Sequence, residues 1–160
     1  MEKIKIAVNG YGVIGKRVAE AVTLQEDMEL MGIGDVAADW RIKAAAAKGY
    51  AVFANTEEGR KTMREKHIPV AGDLDDLLEL ADLVVDCAPK KFGAQNAERY
   101  KTAGVKFIVQ GGEKHETTEH SFSAENNYAS ALNRESTRVV SCNTTSIVRT
   151  LSALKRAGLL

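Results

Sequence analysis

Short apolar runs alternate along the chain with segments in which apolar residues recur every three or four positions. The runs predict β-strands, and the periodic segments predict amphipathic helices. The run 83–87 is continuous rather than alternating, which is typical of a strand covered on both faces of a parallel sheet. The regular succession of strand and helix therefore predicts one α/β domain built on a doubly wound parallel sheet.

The pattern also sets the expected bounds of each element. Thr56 and Asp73 are the side chains expected to cap the third and fourth helices. The predicted strands are 4–9, 28–33, 50–54, 83–87, 105–109 and 137–141, with shorter extended pieces at 68–70 and 121–124. The predicted helices are 13–22, 40–48, 56–66, 73–80, 93–102, 125–132 and 147–157.

A glycine-rich turn follows the first predicted strand. Its sequence is Gly10-Tyr11-Gly12-Val13-Ile14-Gly15, a G-x-G-x-x-G motif that leads directly into the first helix. In this motif Gly10 permits the tight turn, Gly12 lets the backbone approach a pyrophosphate, and Gly15 lets helix pack on strand. The helix N-terminus adds free N–H groups for phosphate. Strand, turn and helix occur in the required order, so the motif predicts a Rossmann-type dinucleotide site.

Asp35 closes the second predicted strand and stands 20 residues after Gly15. A carboxylate at this place accepts hydrogen bonds from the adenosine ribose hydroxyls and repels a 2′-phosphate, which favours NAD. Arg41 and Lys43 lie close enough in sequence to pair with a 2′-phosphate, so NADP stays open. Asp35 also fits a turn or helix-capping carboxylate ahead of Trp40.

Three further segments follow predicted strands: Ala88-Pro89, Gln110–Gly112 and Ser141–Thr145. Because the carboxyl ends of parallel strands share one edge of the sheet, these segments should meet the glycine turn and Asp35 there. Cys142 would then lie at a helix start, where backbone N–H groups favour thiolate, next to the nucleotide crevice. A buried, unreactive cysteine is the alternative.

Composition excludes several classes of function. The formal net charge is zero, so there is no electrostatic case for nucleic acid or for an anionic membrane. No apolar run approaches the roughly 20 residues that span a bilayer, and the two cysteines cannot form a disulfide framework. The histidines lack metal-ligand spacing, so no metal site is expected, and His115 and His120 are interpreted as loop residues. We expect a cytoplasmic protein.

Four segments carry a family resemblance: 9–17, 88–91, 110–114 and 139–145. They resemble the archaeal-type (type II) glyceraldehyde-3-phosphate dehydrogenases, and the resemblance covers essentially the whole chain. It implies NAD(P)-dependent oxidation and phosphorylation of glyceraldehyde 3-phosphate to 1,3-bisphosphoglycerate. By this resemblance the Cys142 thiolate attacks the aldehyde, loss of hydride to the nicotinamide leaves a thioester, and phosphate cleaves the thioester.

The same resemblance assigns the contacts at the site. Substrate contacts would come from Ser141, Asn143 and Thr144. Together with the motif, the resemblance gives this set of cofactor-binding residues: Gly10, Tyr11, Gly12, Val13, Ile14, Asp35, Ala88, Pro89, Gln110, Gly111 and Gly112.

Family members are about twice this length, and their general-base histidine belongs to the part beyond these 160 residues. We therefore interpret residues 1–160 as a dinucleotide-binding domain that ends at the catalytic-cysteine helix, with the family's C-terminal catalytic domain absent. Little turnover is expected from the chain alone, and it should associate with itself or with a catalytic-domain chain. The alternatives are another cysteine-dependent semialdehyde dehydrogenase and a non-catalytic NAD(P)-binding or assembly module. A cysteine hydrolase is disfavoured because no histidine partner is evident.

Overall fold

The apolar runs form a parallel sheet in the computed structural model, which describes residues 2–110 and 112–160. The strands of the described residues are β1 (Ile4–Asn9), β2 (Met28–Asp35), β3 (Val52–Ala54), β4 (Gly72–Asp73), β5 (Leu83–Asp86), β6 (Lys106–Val109), β7 (Ser121–Phe122) and β8 (Ser136–Val139). They lie in the order β4-β3-β2-β1-β5-β6-β8-β7, and every pairing is parallel.

Helices connect most of these strands. The α-helices of the described residues are α1 (Val13–Thr23), α2 (Trp40–Ala47), α3 (Glu57–Glu65), α4 (Leu74–Glu79), α5 (Phe92–Ala103), α6 (Ala124–Ala131) and α7 (Cys142–Arg156), and a short 3-10 helix covers His115–Thr117. The strand order runs outward from β1 in one direction and from β5 in the other, so the sheet reverses between these two neighbours. The predicted doubly wound α/β fold is confirmed, and ligands of such sheets bind at this reversal.

The sheet is covered on both faces, as the apolar run of β5 predicted. One hydrophobic cluster joins Val8 and Ile33 to residues of α1, α2 and α3. The opposite cluster joins Ala7 and Val84 to residues of α4 and α5. The adjacent residues Ala7 and Val8 of β1 therefore point into different cores, so both faces of this strand are covered.

Side-chain caps fix where most helices begin. Thr56 accepts the N–H of Gly59 at 3.0 Å, and Asp73 forms a capping box with Asp76, so both predicted caps are confirmed. Asp39 caps α2, and Ser141 caps α7 by accepting the N–H of Thr144. The helix α7 begins at Cys142, five residues before the predicted start at 147. Its first turn is polar, so it shows no apolar periodicity, and the Ser141 cap holds this turn in the helix.

Other boundaries also differ from the prediction. The strand predicted at 50–54 is shortened to Val52–Ala54, and the piece at 68–70 lies outside any strand. The last predicted strand, 137–141, is shifted to Ser136–Val139, while the extended piece near 121 is confirmed as β7. Apolar content alone does not mark these ends, because strand length here depends on which neighbour supplies the hydrogen bonds.

A buried polar network ties β1, β5 and α5 together. Asp86 is fully buried, and its Oδ2 accepts hydrogen bonds from Tyr100 Oη at 2.5 Å and Asn96 Nδ2 at 2.7 Å. Tyr100 Oη in turn accepts from Asn9 Nδ2 at 2.6 Å, and Asn9 Oδ1 accepts from Asn55 Nδ2 at 2.6 Å. Burial and the Asp86 carboxylate raise the pKa of the Tyr100 hydroxyl, so it stays protonated and donates.

None of the helices in residues 2–110 and 112–160 combines the length and the apolar character needed to cross a bilayer.

Removal of the Tyr100 hydroxyl tests this network. Tyr100→Phe leaves an Asn9 donor and an Asp86 lone pair without their partner in a buried site, and we expect a loss of about 1–3 kcal/mol in the free energy of unfolding. Urea unfolding followed by circular dichroism measures it. The matched control is Tyr128→Phe, because the Tyr128 side chain is 62% exposed. Equal stabilities of the two variants would contradict the role given to Tyr100.

Candidate functional site

A cleft of about 1040 Å³ opens at the carboxyl edge of the sheet, where the strand order reverses. Its walls are the glycine turn after β1, the loops after β5 and β6, and one face of α7. The residues that line it are Gly12, Val13, Ile14, Cys87, Ala88, Pro89, Lys90, Gln110, Gly112, Val139, Val140, Ser141, Cys142, Thr145, Ser146, Arg149 and Thr150. Four of the five segments expected to converge thus form one cavity.

The glycine turn has the close contacts that its motif predicts. Gly10 has a φ of +91°, and a Cβ there would lie 2.8 Å from the backbone nitrogen of Ala88. A Cβ on Gly15 would lie 1.8 Å from the carbonyl oxygen of Gly10, so only glycine allows α1 to pack this closely. At Gly12 a Cβ would meet only the guanidinium of Arg41, at 3.9 Å, which leaves room for a ligand.

The N-terminus of α1 borders the cleft and has no side-chain cap. Its N-cap is Gly12, which makes no side-chain cap, and its first turn contains no acidic residue. Val13 and Ile14, the first two residues of the helix, line the cleft. Because the first N–H groups of a helix lack partners within the helix, this end is suited to bind an anionic group such as a phosphate.

Asp35 supports the glycine turn from behind. Its Oδ2 accepts the backbone N–H of Tyr11 at 2.6 Å, and its Oδ1 accepts the backbone N–H of Ala37 at 2.8 Å. Asp35 is therefore a turn carboxylate, one of the two roles that the sequence left open, and it does not line the cleft. The Tyr11 side chain is buried edge-on against Tyr50, with ring centroids 6.4 Å apart, so only its backbone faces the turn.

Arg41 brings a positive charge close to Gly12. Its guanidinium donates to Asp39 Oδ2 through Nε at 2.9 Å and Nη2 at 2.5 Å. The hydrogen bonds from Arg41 hold the pKa of Asp39 below its usual range. Each partner's side chain is 35% exposed, so the contact is partly screened by solvent, and the guanidinium is close enough for a ligand at the turn to compete with Asp39 for it.

The loops after β5 and β6 form the middle of the cleft. Asp86 Oδ1 accepts the N–H of Ala88 at 2.9 Å, which fixes the start of the first loop. Of the other predicted residues, Pro89, Gln110 and Gly112 also line the cavity, whereas Gly111 lies outside the described residues.

Cys142 is the first residue of α7 and is exposed to solvent in the cleft. Ser141 Oγ lies 2.9 Å from Thr144 Oγ1 and also caps the helix, so both hydroxyls already have partners. Cys142 Sγ lies 4.0 Å from Asn143 Oδ1. Asn143 and Thr144 do not line the cleft, and their predicted contact with substrate stays a prediction.

Thr145 was expected at this edge, whereas three other polar residues of α7, Ser146, Arg149 and Thr150, were not predicted from the sequence. Thr145, Ser146, Arg149 and Thr150 line the cleft together with Cys142. Their positions three, four, seven and eight residues after Cys142 are those of one helix face, and this spacing could have identified them. Arg149 makes only a loose ion pair with Glu125, with Nε and Oε2 3.6 Å apart.

Cys87 lines the same cleft but differs chemically from Cys142. It is half-buried beside Asp86, and burial together with that charge raises the pKa of the Cys87 thiol to about 12. The thiol is therefore protonated at neutral pH.

None of the chain's three histidines lines the cleft that the described residues form. His67 and His115 are exposed, while His120 is buried, with Nδ1 2.7 Å from Thr137 Oγ1. The loop position predicted for His120 is correct, but the loop packs into the protein, and burial lowers the pKa of this ring. Within residues 2–110 and 112–160 there is no group of side chains that could hold a metal ion.

Comparison with known proteins finds a domain family and close relatives. The family model described as the N-terminus of dihydrodipicolinate reductase matches residues 4–131. The chain is 49% identical to glyceraldehyde-3-phosphate dehydrogenase of Pyrococcus furiosus over 96% of its own length and 46% of that protein. Identity to the enzyme of Methanococcoides burtonii is 47%, over 98% of this chain and 46% of that protein. The predicted resemblance is confirmed, and the chain spans about half the length of these relatives.

Solved structures share the fold at low sequence identity. An NAD-binding protein from Listeria innocua superposes with a TM-score of 0.56 at 18% identity, covering 86% of this chain and 35% of that one. Apo scyllo-inositol dehydrogenase from Lactobacillus casei gives 0.51 at 21% identity, with coverage of 86% and 36%. These similarities support the architecture alone.

Thiol labelling distinguishes the two cysteines. At neutral pH we expect iodoacetamide to modify Cys142 at least about 100-fold faster than Cys87, because Cys142 is exposed and the buried thiol is protonated. Peptide mass spectrometry of timed samples measures both rates. Cys142→Ala should then leave the folded chain almost unlabelled, whereas urea should expose Cys87. Comparable rates in the folded protein would contradict the different environments.

Proposed function

The chain belongs to the dihydrodipicolinate reductase N-terminal domain family, and on this premise we propose that its cleft binds NAD or NADP. The support is the cradle at the glycine turn, where Gly12 leaves open space and the start of α1 has no side-chain cap. Its anion-binding character fits a pyrophosphate. The adenosine half would extend toward Asp35 and the nicotinamide half toward the loops after β5 and β6.

We propose that NAD is preferred over NADP. Two charged residues near the site would act on the 2′-phosphate of NADP in opposite directions. Asp35 receives N–H groups from Tyr11 and Ala37, yet a carboxylate oxygen has more than one lone pair and can also accept a ribose hydroxyl. Its charge repels a 2′-phosphate, whereas Arg41 beside Gly12 would attract one. The Arg41 guanidinium is held by Asp39, which favours Asp35 as the deciding group.

We further propose that the reaction is the NAD(P)-dependent oxidation and phosphorylation of glyceraldehyde 3-phosphate to 1,3-bisphosphoglycerate. The name of the relatives, glyceraldehyde-3-phosphate dehydrogenase, supports this substrate. The observation that carries this proposal is the placement of Cys142 in the same cleft as the glycine turn. A bound nicotinamide supplies the hydride acceptor. The Cys142 thiolate forms the bond to the aldehyde carbon, and the first-turn N–H groups of α7 are suited to hold the resulting oxyanion.

Residues 1–160 would then form the nucleotide-binding half of the site. The described residues place no histidine in the cleft, so they offer no imidazole to act as the general base. A positioned general base contributes about 10²–10⁴-fold to the rate, and its absence would leave a nucleophile with little turnover. Ser141, Asn143 and Thr144 stay the proposed substrate contacts.

We propose that exposed apolar side chains of α6 and α7 are covered in the assembled protein. Tyr128, Ile147 and Leu151 are each about half exposed or more, and α7 has no fully buried residue. A helix of this kind gains its stability from a packing partner. A second copy or a catalytic-domain chain would meet this need, so association is expected in solution.

Cofactor choice is tested by titrating NAD and NADP. We expect the unchanged chain to bind NAD more tightly than NADP. Asp35→Ala should lower the ratio of the NAD affinity to the NADP affinity about tenfold, because the variant no longer repels the 2′-phosphate. Arg41→Ala should weaken NADP and leave NAD nearly unchanged. Isothermal titration calorimetry measures all six affinities, and thermal unfolding checks the glycine turn in the Asp35 variant. An unchanged ratio in Asp35→Ala would rule out Asp35 as the discriminator.

Activity is tested with purified chain, glyceraldehyde 3-phosphate, phosphate and NAD, followed by NADH absorbance. We expect a rate at least about 100-fold below that of a full-length relative, because the described residues place no imidazole in the cleft. Cys142→Ser should abolish the remainder, whereas Cys87→Ser should retain it. Residual NADH formation that survives Cys142→Ser would refute the nucleophile. Rapid turnover by the unchanged chain would refute the half-site, and NAD binding without any Cys142-dependent reaction would favour the binding module.

A further inference from the structure

Glu113 is a buried carboxylate whose burial is not accounted for by the roles given to the glycine turn and to Cys142. The residue is only 6% exposed and follows Gly112 in the loop after β6. Its Oε1 accepts the backbone N–H of Lys91 at 2.7 Å. Lys91 is the N-cap of α5, and its own side chain makes no capping bond. Glu113 therefore caps α5 from a different loop, with its negative charge at the positive end of the helix.

The bond from Glu113 holds an unfavourable turn in place. The segment Pro89–Phe92 is closed by the Phe92 N–H, which donates to the Pro89 carbonyl at 3.1 Å. Lys91 occupies the third position of this turn with φ +83°. Glycine is favoured at a positive φ, because a side chain there crowds the backbone. The conformation of Lys91 thus depends on an external contact, and Glu113 supplies it.

Glu113 is itself fixed on both sides. A Cβ on Gly93 would lie 2.9 Å from Glu113 Cγ, so the carboxylate arm packs directly against the first turn of α5. Its backbone carbonyl accepts Arg138 Nη1 at 2.7 Å, and Arg138 Nε donates to Ser121 Oγ at 2.8 Å. The residue therefore connects the loop after β5 with β8 and β7.

We propose that Glu113 is a positioning residue for the nicotinamide half of the dinucleotide. Through the Lys91 N–H it holds Ala88, Pro89 and Lys90 in the wall of the cleft. The inference rests on the proposed function. Because the adenosine half would bind at the glycine turn and Asp35, on the other side of β1, its affinity should not depend on Glu113.

The experiment compares the affinities of NADH and ADP for variants of the full 160-residue chain by calorimetry. We expect Glu113→Ala to weaken NADH binding about tenfold, the usual effect of losing one charge-assisted hydrogen bond, and to change ADP binding less than about twofold. Glu113→Gln keeps a carbonyl oxygen that can accept the Lys91 N–H and should retain NADH affinity within about threefold. Glu116→Ala, which removes an exposed carboxylate from the same segment, should have no effect.

A second variant separates positioning from general destabilisation. Lys91→Gly makes the left-handed turn intrinsically favourable, so the loop should need Glu113 less. In that background we expect Glu113→Ala to weaken NADH binding only about threefold, a coupling that independent effects would not produce. Hydrogen exchange of the Lys91 amide in the ligand-free chain should accelerate in Glu113→Ala.

The outcomes are distinct. NADH binding that is indifferent to Glu113→Ala, or ADP binding that falls equally, would overturn the inference while leaving the proposed function intact. A tenfold loss that persists in the Lys91→Gly background would overturn the role of the turn. An unchanged chain that binds neither NADH nor ADP would overturn the proposed function and this inference with it.

Discussion

The fully buried carboxylate of Asp86 is the group on which the carboxyl edge of the sheet depends. One oxygen accepts from Tyr100 and Asn96 of α5, and the other accepts the backbone N–H of Ala88. A buried carboxylate is stable only when donors replace the water it has lost. Because these donors come from α5 and from the loop after β5, satisfying one charge also fixes the position of both.

Two other carboxylates repeat this arrangement along the edge. Asp35 accepts the N–H of Tyr11 in the glycine turn, and Glu113 accepts the N–H of Lys91 ahead of α5. In each case an ionised side chain binds a backbone donor of a neighbouring loop, so charge-assisted bonds set the loop geometry from behind. The side of the loops that faces the cleft stays open to a ligand. Because the carboxylates fix the loops from the other side, a cleft lined largely by backbone and small residues keeps its geometry.

The two cysteines show how position decides chemistry within one cavity. Cys87 follows β5 beside Asp86, and burial with that negative neighbour raises the pKa of its thiol to about 12. Cys142 opens α7 and is exposed. A residue type alone therefore says little about reactivity, and the contrast supports the proposed nucleophile. Among the described residues, no histidine lines this cleft.

The sequence by itself determined the fold class, the glycine turn, the caps at Thr56 and Asp73, and the family, because these depend on local patterns and on residue types with special conformations. Only the tertiary structure decided that Asp35 supports the glycine turn from behind and that Glu113 caps α5. These contacts join residues far apart in sequence. Hydrophobic periodicity does not predict such pairs, because a buried carboxylate can bind its donors only after the strands have brought the loops together.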